Sequence, residues 1–176
     1  ETGLYSPELE HDSCGVGMVA NIKGGKSHSI IEESLQVLKN LGHRGACGCD
    51  PDTGDGAGIL IQMPHVFFEK ECARIGIELP NEQAYGVGMV FLPPDDEARR
   101  LSEVLIEEVV HAEGLVLLGW RDVPVNPPAL GRDAREVQPV IRQIFVKGGP
   151  SINGADELDR KLYVARKSIE HRLPET

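Results

Sequence analysis

Between Ala84 and Trp120 the chain passes from an apolar, strand-like run to an amphipathic helical stretch and back to an apolar run. That succession limits the fold to classes that mix helices with strands. The run from Ala84 to Leu92 suits a buried strand. Pro93-Pro94-Asp95 stops it and opens a long helix with Ala98, Leu101, Leu105 and Val109 on one stripe. Leu115 to Trp120 is a further strand. Another holds Val140, Ile144 and Val146, within an apolar run from Val137 that Gly148-Gly149-Pro150 ends. A last helix places Leu158, Leu162, Ala165 and Ile169 at helical spacing.

The N-terminal part reads the same way. Gly15 to Ile22 suits a strand with glycines where another backbone comes close, followed by a turn at Gly24-Gly25. Ser29 and Glu32 form a capping-box pattern for a helix with Ile31, Leu35 and Leu38 on one face and Gly42 as its C-cap. Ile59, Ile61 and Met63 alternate as a strand would, and Pro64-His65 opens a short helix towards Arg74. The expected class is α+β or α/β, with no internal repeat and no linker between two domains.

Composition excludes more than it assigns. At 176 residues, the chain is long enough to bury a core without disulfides or a structural metal. Lys+Arg number 18 against Asp+Glu 28, a net charge of -10, which argues against a protein that tracks nucleic-acid phosphates. No apolar run approaches the roughly 18 residues of a membrane helix. The four cysteines, Cys14, Cys47, Cys49 and Cys72, are too few for a disulfide scaffold and point to a reducing, cytoplasmic setting.

Cys14 stands where a polar stretch, residues 1–13, gives way to the first apolar run. One reading is a buried structural cysteine. The other is a nucleophile. A thiol attacks only as thiolate and needs a base. Were the chain cut between Ser13 and Cys14, the new α-amino group, of reference pKa about 7.7–8.0, would lie beside the thiol. One residue would then supply nucleophile and base.

The loop from Gly42 to Gly58 is dense in glycine, which implies turns or close backbone approach. Within it Arg44 suits a carboxylate or carbonyl ligand, or an ordinary surface ion pair. His43, Cys47 and Cys49 invite a metal reading, but His65 and Cys72 would have to complete it at spacings with no established pattern, so no metal is assigned. Gly86-x-Gly88 lies inside a strand and lacks a dinucleotide fingerprint's context. Asp55 is read as a turn former, Trp120-Arg121-Asp122 with Asn126 as packing and a capped loop, and the basic residues of the last helix as a solvated face.

Five blocks in order are specific. Glu10-His11-Asp12-Ser13-Cys14-Gly15-Val16-Gly17 comes first, then His43-Arg44-Gly45-Ala46, then Thr53-Gly54-Asp55-Gly56-Ala57-Gly58. Gly119 to Val125 and Arg160 to Lys167 follow. Together they resemble the start of the glutamate synthase large-chain family, a class II glutamine amidotransferase domain. The resemblance implies the N-terminal portion of a four-layer αββα N-terminal-nucleophile fold, with residues 1–13 as a leader and 14–176 as part of the domain. It implies that Cys14 is the catalytic nucleophile, freed when it attacks the Ser13 carbonyl and the leader is released. It implies that Arg44 faces that nucleophile and the substrate, L-glutamine. Ammonia from the hydrolysis would feed reductive amination of 2-oxoglutarate elsewhere in the large chain. FMN, an iron-sulfur cluster and an electron-donor subunit or ferredoxin are implied for those other parts, and no cofactor for this segment.

The family's oxyanion Asn-Gly pair lies further along than this sequence reaches. Asn153-Gly154 precedes the last helix and is not given that role. The segment alone is therefore expected to be inactive, and the competing reading is a non-catalytic structural or interaction module derived from the same domain.

Overall fold

The computed structural model describes residues 15–44, 53–54 and 56–173. They belong to two compact units, one drawn from residues 1–62 and 127–137, the other from 63–126 and 138–176.

The first unit holds helix α1 (His28–Asn40), the 3-10 turn Gly42–Arg44 and, from the later segment, the 3-10 turn Pro127–Ala129. The second unit contains α2 (His65–Arg74), β1 (Tyr85–Leu92), α3 (Asp96–Ala112) and β2 (Leu115–Asp122). The short helix α4 (Arg132–Glu136) returns to the first unit. The second unit is then completed by β3 (Val140–Gly148) and α5 (Ala155–Arg172).

The sheet of the second unit has the order β1-β3-β2. Both outer strands run antiparallel to β3, from Tyr85 opposite Lys147 to Leu92 opposite Val140, and from Leu115 opposite Gly148 to Asp122 opposite Arg142. β1 and β2 are thus parallel, joined through α3, and β3 is inserted between them. The register slips between Leu117 and Gly119, so Leu118 is the extra residue of a bulge.

Alternation along β3 builds two cores. Ile144 and Val146 join Leu92, Leu115, the α3 residues Ile106, Val109 and Val110, and the α5 residues Leu158 and Ala165. Phe145, pointing the other way, meets Phe68 and Cys72 of α2 with Ile77 and Tyr85. One face of the sheet carries α3 and α5, the other α2. The mixture of helices with an antiparallel sheet is α+β.

The three strands expected in this part form, at Tyr85–Leu92, Leu115–Asp122 and Val140–Gly148, because Val, Ile, Leu and Phe runs find partners there. The helix start at Asp95 is also as read: its carboxylate accepts a hydrogen bond from the Ala98 N–H at 2.8 Å. The buried stripe of α3 holds at Leu105 and Val109 but not at Leu101, however. Leu101 is 58% exposed, whereas Ile106, Val109 and Val110 are at most 3% exposed. In α1 the capping box is not made. Ser27 occupies the N-cap, Ser29 already lies inside the helix, and the two hydroxyls bond each other at 2.8 Å. Gly42 is not a left-handed C-cap either, for it opens a 3-10 turn and does not have a positive φ.

Two expected strands are absent from the ladders. Residues 15–21 and 56–63 are described without strand pairing, with Val16 and Met18 both 89% and Leu60 102% exposed. An apolar alternation specifies a strand only where a neighbour supplies hydrogen bonds and a surface to cover.

β3 ends where its successor Gly149 donates to the Gly114 carbonyl at 3.1 Å. A Cβ at position 149 would overlap that carbonyl oxygen. The obstacle is backbone, not a side chain able to rotate away. Gly149→Ala is expected to destabilise the fold by about 1–3 kcal/mol, read as a lower urea midpoint with unchanged slope. An unchanged midpoint would show that this corner is loose.

Candidate functional site

Cys14 and Ser13, the expected nucleophile and processing residues, lie outside the described residues, as do Cys47, Cys49 and Asp55. Arg44 closes the 3-10 turn Gly42–Arg44, and its side chain is outside the description.

Gly15, the residue after Cys14, lies against the end of α1: a Cβ there would come within 2.9 Å of Leu41 Cδ2. A Cβ on Gly17 would overlap Val37 Cγ1. Leu41 N–H in turn donates to the Val37 and Leu38 carbonyls at 3.0 and 3.2 Å, finishing the helix. The two glycines therefore let the segment that follows Cys14 press onto the last turns of α1. The 3-10 turn bearing Arg44 begins directly after Leu41. Its His43 ring is tied back to the Asn40 carbonyl, Nδ1 to oxygen 3.0 Å. The chain next to Cys14 thus packs on the last turns of α1, and the turn that ends on Arg44 follows that helix in sequence.

In the second unit Trp120, Arg121 and Asp122 do more than fill space. Trp120 Nε1 donates to Glu107 Oε1 of α3 at 2.8 Å, and Arg142 stacks 5.3 Å over the indole while bonding Glu103 and Asp122 at 2.5 and 2.7 Å. Arg121 points to the opposite face. Its guanidinium donates to Gln143 Oε1 at 2.9 Å and to Glu71 Oε2 at 3.2 Å, and lies 5.6 Å from the Phe67 ring centre. This link between α2 and the sheet was missed in the sequence. The available signal was that Glu71 falls on the turn between the buried positions Phe68 and Cys72.

Cys72 is fully buried. Burial pushes its thiol above the ordinary value, offset in part by the Arg121 charge. It is a packing residue, because a thiol with a raised pKa is a poor nucleophile at neutral pH. Among the described residues no three His, Cys, Asp or Glu side chains gather as a metal site, and no helix is long and apolar enough to cross a membrane. On α5, Arg160, Arg166 and Lys167 are exposed, as a solvated face requires, while Lys161 reaches Glu113 Oε2 at 3.0 Å.

Tyr85 is 4% exposed and its hydroxyl meets His65 Nδ1 at 3.0 Å. Burial, with the neighbouring Cys72 and two glutamates, pushes its pKa from 10.0 up to about 12. A phenol whose folded pKa lies above its unfolded value stabilises the fold fully below about pH 10, and that contribution disappears as pH rises through about 12. Stability is therefore expected to fall between these values, with less of a fall in Tyr85→Phe. Urea titrations of the two chains at stepped alkaline pH check it, and parallel curves would overturn it.

Residues 14–176 match the family model of class-II glutamine amidotransferases, and the chain belongs to that family. This is the N-terminal-nucleophile class, of α+β architecture, and the match begins at Cys14 itself. The relatives are glutamate synthases. The chain is 46% identical over 169 residues to the NADPH glutamate synthase large chain of Bacillus subtilis, covering 96% of this chain and 11% of that protein. It is 43% identical over 166 residues to ferredoxin-dependent glutamate synthase 2 of Synechocystis, covering 94% and 11%. With the NADH glutamate synthase of Schizosaccharomyces pombe it shares 39% over 175 residues, covering 97% and 8%. The chain thus spans about one tenth of the length of these relatives.

Proposed function

We propose that this chain is the nucleophile-bearing part of a glutamine amidotransferase within a glutamate synthase. The Cys14 thiolate attacks the side-chain amide carbon of L-glutamine. The α-amino group of Cys14 passes its proton to the departing ammonia, and water hydrolyses the γ-glutamyl thioester to glutamate. That base exists only when Cys14 is the first residue, so residues 1–13 act as a leader: Cys14 Sγ attacks the Ser13 carbonyl, the Ser13–Cys14 amide is exchanged for a thioester with the α-amino group freed, and water hydrolyses the thioester to release residues 1–13. Arg44 binds the substrate across from the nucleophile.

The observation that supports this reading is the packing of Gly15 and Gly17 against Leu41 and Val37 at the end of α1, the helix that the turn Gly42–Arg44 follows. The family match starting at residue 14 supports the same boundary.

Further along the whole protein, the ammonia aminates 2-oxoglutarate. That reaction draws on FMN, an iron-sulfur cluster and electrons from a donor subunit or ferredoxin. None of these is assigned to residues of this chain. The expected compartment is the cytoplasm.

The test is made on the full-length protein. N-terminal sequencing is expected to begin at Cys14, and a glutamine-like electrophile is expected to add one equivalent to that residue, with glutamine protecting it. A full-length protein that retains residues 1–13 and hydrolyses glutamine at an undiminished rate would overturn the proposal.

A further inference from the structure

We draw no further inference here: the strongest candidate, the half of the β1–β3–β2 sheet face around Met89 and Phe91 that α2 leaves exposed, is an apolar surface and nothing in the structure shows what covers it.

Discussion

Cys14→Ala in the full-length protein is expected to lower glutamine hydrolysis by on the order of 10⁴-fold or more, because it removes the atom that forms the thioester. The expected lesion is confined to the production of ammonia. Supplying an ammonium salt in place of glutamine bypasses it, so amination of 2-oxoglutarate continues. On the proposed processing step the same substitution is also expected to stop leader release, since a methyl side chain cannot attack the Ser13 carbonyl, and the intact mass is expected to retain residues 1–13. Loss of processing alone would also silence the site. A second form, freed of residues 1–13 by a protease and carrying Cys14→Ser, separates the two effects. It has the α-amino base and a side chain of similar shape, but a hydroxyl attacks far less readily than a thiolate, so it too is expected to be strongly impaired. Glutamine hydrolysis at near the parent rate in either variant would remove Cys14 from the chemistry.

How far the sequence reveals this site depends on what each residue's role requires. The family of the segment that begins at Cys14 was legible through ordered motifs, not through local spacing. Gly15 and Gly17 were legible as places of close approach, but what approaches is the side chains of Leu41 and Val37 and not a second backbone. The three strands of the second unit were legible because β-branched and aromatic runs bounded by Pro and Gly have few alternatives. Their order, with β3 inserted between β1 and β2, was not, because strand pairing depends on contacts far apart in sequence. The stripe on α3 was legible at Leu105 and Val109 but wrong at Leu101, and it left out Ile106 and Val110, for a related reason. The neighbours on β2 and α5 cover Ile106, Val109 and Val110 and turn Leu101 outward. Arg121 looked like packing because Glu71 lies 50 residues away. The runs at 15–22 and 59–63 carry a strand's pattern without a ladder, since alternation states which side chains seek cover and not which backbone provides it.

Phe145→Ala should produce the largest loss of stability among single core truncations, about 3–5 kcal/mol. Phe145 is 0% exposed at the middle of the central strand. Its ring meets Phe68 edge-on at 5.3 Å and lies 6.5 Å from Tyr85, so truncation removes both buried area and aromatic contacts. It opens a cavity between the sheet and α2, a helix of 10 residues that buries only Phe68 and Cys72. So short a helix is marginal by itself and depends on that face for stability. Against a total of about 5–15 kcal/mol for a domain, the loss is severe. Phe145→Leu, which keeps most of the volume, should cost under about 1.5 kcal/mol if the site repacks. Urea unfolding measures both. Tyrosine absorbance gives an independent reading, because the raised pKa of Tyr85 stems first from burial. Water admitted by Phe145→Ala is expected to bring that pKa back towards its ordinary value of 10.0, whereas Phe145→Leu should leave it raised. A small stability loss with Tyr85 still titrating near 12 would mean that α2, and not Phe145, seals this side of the sheet.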